Sequence, residues 1–408
     1  LKITFCEVKR IMSRILSLSL LLVSFLFILN DSKAGPPKPL IKSYHLQTDI
    51  QGRWVKQKLK LHIRRLIREG APPLILTHAL ILNSRAMEKL GLKLWEAGYD
   101  VWLPNVRGHG NGKEKSTILP YTPKDYGFDK MLSEDLPLII NTIRKITKQK
   151  INLVGFSLGA LLWEKYLSGV VKNSSGHLIK SLKTAEERSR QVRSFIALGI
   201  PLDLHKVNPQ IRLLFFPTMP VFKNLHYFVP LTTNQDPEIL FPLTIAEWIR
   251  RGVIATVKPI FLKVLPMGIL TKRGIDIEGG ELEELTFNSI SQAHTDLVYD
   301  FIRWLWHPFK SRDGRVTYSG KNPLKTPSLF IFGEKDYLAP YKGSKKILRS
   351  NFPPDSIPKV LKFCEKAHLD LILTKALPQL TEVMIEFLKY PKEYKERNSY
   401  LDQIGNCF

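Results

Sequence analysis

Asn152-Leu153-Val154-Gly155-Phe156-Ser157-Leu158-Gly159-Ala160 is an apolar run that ends in Gly-x-Ser-x-Gly and passes directly into helix-forming sequence. A short apolar run bounded by turn chemistry reads as a buried strand. Ser157 then falls at a tight strand-to-helix turn that carries its hydroxyl out of the sheet. Gly155 and Gly159 leave no side chain where such a turn crowds against its neighbours. The spacing alone is weak evidence, and the surrounding chain must supply the context.

Outward from this turn, buried-strand runs alternate with helical patterns. Trp54 to Leu66 alternates in part, with Leu59, Leu61 and Ile63 set against Lys58, Lys60 and His62. Strands follow at Leu74 to Thr77, Tyr99 to Leu103, Ile151 to Phe156 and Val192 to Leu198. Helices are expected near Arg85 to Ala97, Leu132 to Ile146 and Leu158 to Ser168. This alternation predicts an α/β fold with a mostly parallel central sheet covered by helices on both faces. From about Pro201 to Asn322 the alternation stops and Pro, Phe and Leu dominate, which reads as a helical cap inserted over the sheet's C-terminal edge. A strand at Ser328 to Phe332, a helix near Tyr341 to Arg349, a strand at Val360 to Phe363 and a helix near Pro378 to Leu388 complete the pattern. The expected organisation is an N-terminal signal region over 1–34, core over 35–200, cap over 201–322, core again over 323–390 and a polar tail over 391–408.

Met12-Ser13-Arg14 precedes an apolar run from Ile15 to Leu29, and Ser32-Lys33-Ala34 before Gly35 resembles a signal-peptidase site. Export to a periplasmic or extracellular space is expected, with an uncleaved membrane anchor as the alternative. The formal charge is +24; residues 1–34 contribute +3 of it, leaving +21 for the remainder. Such an excess favours anionic surfaces, an anionic membrane among them. The basic residues are dispersed and no nucleic-acid motif accompanies them, so nucleic acid is not expected as a partner. With three cysteines and no Cys/His spacing of the zinc type, neither a metal nor another cofactor is expected.

A serine hydroxyl is a poor nucleophile near neutral pH and needs a histidine base whose tautomer is held by a carboxylate. Leu329-Phe330-Ile331-Phe332-Gly333-Glu334-Lys335-Asp336 is a buried strand running into an acidic loop, and Asp336 is the natural acid, with Glu334 and Asp203 as rivals. The next strand leads into Cys364-Glu365-Lys366-Ala367-His368-Leu369-Asp370, which sets His368 before the last helix as the natural base. All lie at the C-terminal ends of strands, where open parallel sheets place their ligands. Oxyanion donors are expected from the backbone N–H of Leu158 and from the segment Thr77-His78-Ala79-Leu80, with Leu80 preferred and Ala79 as the fallback. Arg107 and His109 read as residues that shape the loop after a strand, and Trp304, Trp306 and Phe309 as cap packing, with a lipid-facing lid as the alternative.

The segment Ala97-Gly98-Tyr99-Asp100-Val101-Trp102-Leu103-Pro104-Asn105-Val106-Arg107-Gly108 resembles the acid lipases, the gastric and lysosomal lipase family of α/β-hydrolases. So do Tyr126-Gly127-Phe128-Asp129-Lys130-Met131, Asp135-Leu136-Pro137, the turn at Ser157 and His368-Leu369-Asp370. The resemblance is clearest over residues 71–170 and 325–385. It implies an α/β-hydrolase fold with Ser157 as nucleophile, Asp336 as acid, His368 as base, and Leu80 and Leu158 as oxyanion donors. Those lipases usually carry Gly at the position of Ala79 and Gln at that of Leu158, while Arg107-Gly108-His109-Gly110 is similar to the monoglyceride-lipase and esterase group. The expected function is a serine hydrolase of lipid or other acyl esters. An acyltransferase using the same residues, or a non-catalytic membrane-surface protein, are the alternatives.

Overall fold

The computed structural model describes residues 38–51, 56–120, 125–202, 204, 228–229, 289, 291, 293–352, 358–373 and 375–394. Strands β1 (Leu40–Gln51), β2 (Lys56–Ile67), β3 (Pro73–Thr77), β4 (Asp100–Pro104) and β5 (Thr117–Leu119) come first. They are followed by β6 (Ile151–Phe156), β7 (Val170–Lys172), β8 (Leu178–Lys180) and β9 (Val192–Leu198). The remaining strands are β10 (Phe228–Val229), β11 (Ala293–His294), β12 (Ser328–Gly333) and β13 (Lys359–Phe363). The main helices are α1 (Glu88–Glu96), α2 (Leu136–Thr147), α3 (Leu158–Leu167), α4 (Leu182–Gln191), α5 (Thr295–Trp306), α6 (Tyr341–Asn351) and α7 (Leu377–Lys389).

The central sheet runs β1-β2-β4-β3-β6-β9-β12-β13, with β5 paired to β2. From β4 to β13 the pairings are parallel, whereas β2 is antiparallel to β4. The parallel strands are apolar throughout: β3, β4, β6 and β12 are buried at every position. That is the expected reading for strands sandwiched between helix layers. Each sheet face carries its own core. Leu158, Leu161, Leu162 and Trp163 of α3 pack with Leu136, Ile139, Ile140 and Ile143 of α2 on one side. Leu90 and Leu94 of α1 pack with Leu380, Met384 and Phe387 of α7 on the other. Each of these side chains, fully removed from water, contributes roughly 1.5 to 3 kcal/mol of transfer free energy.

The strands and helices expected around Ser157 occur within a residue or two of their expected bounds, including β6 and β9. Several elements were not expected. Helix α4, LKTAEERSRQ, buries only Ala185 and Arg188, so it shows no apolar stripe to read. The hairpin β7–β8 is three residues per strand. The helix expected from Leu132 begins as π-helical turns over Met131–Asp135 before α2 proper, which has Pro137 in its first turn.

Of the insertion expected over 201–322, most of 203–292 lies outside the described residues; its described part holds α5 and the two-residue pairing of β10 with β11. Trp304 of α5 is fully buried against Phe128, Phe309 and Tyr318, so Trp304 and Phe309 pack α5 onto the core, whereas Trp306 is half-buried.

The expectation about localisation requires correction. Among the described residues no helix is long and apolar enough to cross a membrane. The longest, α7, has 13 residues, against about 20 needed to span a bilayer. The uncleaved-anchor alternative therefore gains nothing from the fold, and the run Ile15 to Leu29 and the site before Gly35 lie outside the described residues.

Candidate active site

Strand order reverses at β3. From it the chain goes to β4 on one side and then to β6 on the other, which opens a crevice between the C-terminal ends of β3 and β6. Parallel sheets bind ligands at such a switch point because the two connections leave in opposite directions. The residues there are Thr77, at the end of β3, and Ser157, directly after β6.

Ser157 has φ 51° and ψ −108°, a left-handed conformation that costs a non-glycine residue roughly 1 to 3 kcal/mol. Its neighbours hold it there. The Ser157 N–H donates to the Leu198 carbonyl at 2.9 Å, and the Leu161 N–H donates to the Ser157 carbonyl at 3.0 Å. The two glycines have separate tasks. A Cβ at Gly155 would lie 2.4 Å from the Ala160 nitrogen, and one at Gly159 would lie 2.5 Å from the Thr77 oxygen. The first glycine lets the turn close on itself, and the second lets α3 rest on the end of β3.

Asp336 and His368 lie in contact. His368 Nδ1 is 2.7 Å from Asp336 Oδ2, and both residues are buried. The other carboxylate oxygen accepts the N–H groups of Leu338 at 2.9 Å and Ala339 at 2.8 Å. Because a carboxylate can only accept, His368 carries its proton on Nδ1 and leaves Nε2 as a lone pair. The loops bearing these residues are tied by the Lys335 N–H, which donates to the Lys366 carbonyl at 2.9 Å, and the His368 loop is closed on itself by the Asp370 carboxylate, which accepts the Ala367 N–H at 2.8 Å. Gly199, after β9, has φ 53°, and a Cβ on it would lie 3.1 Å from His368 Cε1 and 3.3 Å from Asp336 Oδ2. The His368 ring also lies against Phe156, with centroids 5.0 Å apart. The pair is thereby seated on the residue before Ser157 and on the residue after Leu198, which binds the Ser157 N–H.

The rival acids do not occupy this place. Glu334 pairs with Lys362 at 3.3 Å and accepts the Glu365 N–H, and these contacts hold its carboxyl below the usual range. Asp203 lies outside the described residues.

The expected oxyanion segment sits beside Ser157. The His78 carbonyl accepts the Gly159 N–H at 3.1 Å, and Leu158 is the first residue of α3, where backbone N–H groups have no partner within the helix. Two histidines brace this segment: His78, which belongs to it, and His109, read from the sequence as a loop-shaping residue. His78 Nδ1 donates to the Ala79 carbonyl at 2.8 Å, and His109 Nε2 donates to the Leu80 carbonyl at 2.6 Å. Burial lowers the basicity of both rings, and they pack at 4.7 Å as neutral imidazoles. In a trans peptide the C=O and N–H point opposite ways, so fixing the Ala79 carbonyl also fixes the direction of the Leu80 N–H. Only side-chain geometry reveals this, because a histidine after a strand gives no such signal in sequence.

Arg107 has the loop-shaping place expected of it. It is fully buried, with Nε on Asp135 Oδ1 at 2.7 Å, Nη2 on Glu134 Oε2 at 2.7 Å and Nη1 on the Asp125 carbonyl at 2.8 Å. Burial alone would raise the Glu134 carboxyl, but the charges of Arg107, Lys130 and Lys172 outweigh it and hold the group at about 2.

Residues 72–169, which span β3 through α3, match the family model described as the alpha/beta hydrolase fold. A probable lipase of Schizosaccharomyces pombe is 26% identical over 353 residues, covering 77% of this chain and 69% of the relative. Lipase 1 of Drosophila melanogaster is 29% identical over 141 residues, and the gastric triacylglycerol lipase of Bos taurus is 34% identical over 100 residues. These two matches span only 32% and 25% of those proteins. Among solved structures, a thermophilic esterase from Thermogutta terrifontis superposes with a TM-score of 0.52 at 15% identity, covering 85% of this chain and 99% of the esterase. An epoxide hydrolase from Vigna radiata gives 0.51 at 16% identity, covering 85% and 98%. At these identities the structural likeness speaks for the fold, and the fold agrees with the family match around Ser157. Residues 72–169 thus carry the match to the alpha/beta hydrolase fold, and the chain is similar to various esterases and lipases.

Proposed function

We propose that this protein is a serine hydrolase that cleaves carboxylic esters of lipids or other acyl compounds. One observation carries the reading: a buried His368 whose Nδ1–H is held at 2.7 Å by Asp336, seated against the strained turn of Ser157. In the proposed cycle His368 Nε2 takes the Ser157 proton as Oγ attacks the ester carbonyl. The backbone N–H groups of Leu80 and Leu158 receive the negative charge that develops on the carbonyl oxygen. The imidazolium, stabilised by Asp336, then returns its proton to the departing alcohol. A water deprotonated by His368 attacks the acyl-enzyme and releases the acid. The lipase names of the related proteins support an acyl-ester substrate. The net charge of +24 supports work at an anionic membrane surface, which predicts salt-sensitive binding to anionic vesicles.

Labelling with a serine-directed fluorophosphonate tests the nucleophile. The folded protein is expected to label, Ser157→Ala to lose both labelling and about 10⁶-fold of esterase activity, and Asp336→Asn to lose about 10⁴-fold. Undiminished labelling of Ser157→Ala would remove the assignment. A panel of esters of graded acyl length then reads the substrate preference.

A further inference from the structure

The turn that carries the Leu80 N–H is held from a second side, by a stretch of the insertion 209 residues beyond it in the chain. The Ser291 N–H donates to the Ile81 carbonyl at 3.0 Å, and the Asn83 N–H donates to the Ser289 carbonyl at 2.9 Å. The Ser291 hydroxyl donates to the Leu82 carbonyl at 3.2 Å. Both serines are buried, so these bonds do not compete with water.

The bonds continue through the turn. The Ile81 carbonyl and the Leu82 N–H belong to one trans peptide and point opposite ways. The Leu82 N–H donates in turn to the Ala79 carbonyl at 3.2 Å, closing a four-residue turn over 79–82. The Ala79 carbonyl and the Leu80 N–H share a second trans peptide. Starting from Ser291, two peptide dipoles thus follow head to tail, and the second ends in the Leu80 N–H, which has no acceptor among the described residues. In such a chain each hydrogen bond polarises the next, by roughly 10–30% per bond. The Ser291 N–H therefore both fixes the direction of the Leu80 donor and strengthens it toward developing negative charge.

Ser291 is itself anchored on its far side. His294, three residues on, is fully buried with its ring stacked on Tyr126 at 4.4 Å. Its Nδ1 accepts the Asp296 N–H at 3.1 Å and so caps α5, which begins at Thr295. The stretch is clamped between this stack and the turn.

We infer that Ser291 is a positioning residue for the oxyanion donor: its N–H on the Ile81 carbonyl, passed on by the Leu82–Ala79 bond, aims and polarises the Leu80 N–H. The inference rests on the ester hydrolysis proposed above and adds to it a residue of the insertion, which touches neither Ser157 nor the His368–Asp336 pair.

Three variants test it on a soluble ester. Ser291→Pro deletes the N–H and the hydroxyl, Ser291→Ala deletes the hydroxyl alone, and Ser291→Thr keeps both. Losing an oxyanion donor outright costs roughly 10²–10³ in kcat, and a donor left in place but slackened costs less. Ser291→Pro is therefore expected to lower kcat by about tenfold at nearly constant KM, and Ser291→Ala by about threefold, since the hydroxyl holds the serine on the turn without lying in the chain of peptides. Ser291→Thr is expected to match the wild type. Affinity for a trifluoromethyl ketone, whose adduct with Ser157 carries the oxyanion, should fall in each variant by the same factor as kcat/KM. A residue that merely tied the insertion down would not link the two. Ser291→Pro that is folded by near-ultraviolet circular dichroism, yet keeps kcat within about twofold of wild type or raises KM at constant kcat, overturns the inference. Should the proline variant not fold, Ser291→Ala decides: the absence of a parallel loss in kcat and ketone affinity, or a loss that Ser291→Thr shares, overturns it. A wild-type chain that neither labels with a fluorophosphonate nor hydrolyses esters fails the reaction itself, and the inference falls with it; failure of the variants in a wild type that does both is failure of the inference alone.

Discussion

At Ser157 the backbone is held at φ 51° by the hydrogen bond to Leu198 and by the first turn of α3, so the proposed nucleophile sits in a conformation its own side chain disfavours. Glycine adopts it without that cost, although it also gives the unfolded chain more freedom. Ser157→Gly is therefore expected to abolish esterase activity while raising the melting temperature by about 2 °C; a fall of that size would show that the turn stores no strain. The His78 ring acts at one remove from the chemistry, through the peptide that carries the Leu80 N–H. His78→Phe keeps an aromatic ring and loses the bond to the Ala79 carbonyl. We expect kcat to fall by about tenfold to a hundredfold with KM nearly constant, because the donor is needed chiefly in the transition state. An increase in KM at constant kcat would place His78 in substrate binding instead. Little of this residue-level detail was legible beforehand. Ser157, Asp336 and His368 announce themselves because each follows an apolar strand, whereas the role of His78 depends on which carbonyl its ring reaches.

Helix α5 is attached to the core through a buried carboxylate network. Asp300 accepts the Phe128 N–H at 2.9 Å and Arg312 Nε at 2.8 Å, and Asp129 accepts the Arg312 N–H at 2.8 Å and the Tyr318 hydroxyl at 2.5 Å. Burial, reinforced by the charge of Asp300, raises the Asp129 carboxyl to about 6. A carboxyl whose folded pKa is raised contributes stability that is present below its unfolded value near 3.8 and is lost as pH rises through about 6. Glu134 behaves in the opposite sense: held at about 2, it contributes stability above its ordinary 4.5 that is lost as pH falls toward 2. Thermal melts from pH 4 to 6 should thus show a destabilising slope that Asp129→Asn removes. Below pH 4 a second loss should appear that Glu134→Gln removes, at a cost of about 3 kcal/mol near neutral pH from leaving Arg107 and Lys172 short of a partner. A pH-independent melt of the wild-type chain across both windows would contradict the buried geometry. Helix α5 falls within the helical insertion expected from the sequence, but α4 was not expected, since a helix that buries only Ala185 and Arg188 leaves no period in its sequence.

Ser157, Gly199, Asp336 and His368 follow four parallel strands that are adjacent in the order β6-β9-β12-β13 yet spread over more than two hundred residues. The site therefore exists only while the sheet is assembled. Fluorophosphonate labelling in increasing urea should disappear together with near-ultraviolet circular dichroism; labelling that persists after the tertiary signal is lost would mean a serine reactive without His368. By itself the sequence determined the alternation of buried strands and amphipathic helices, and with it the parallel sheet, because burial on both faces leaves an apolar run and burial on one face leaves a helical stripe. It also determined which residues end the strands, since turns need glycine and polar chemistry. Only the tertiary structure decided that Asp336, not Glu334, meets His368 and that His78 and His109 brace the segment around Leu80. Those outcomes depend on distances between segments far apart in the chain, and the local pattern of side chains does not encode them.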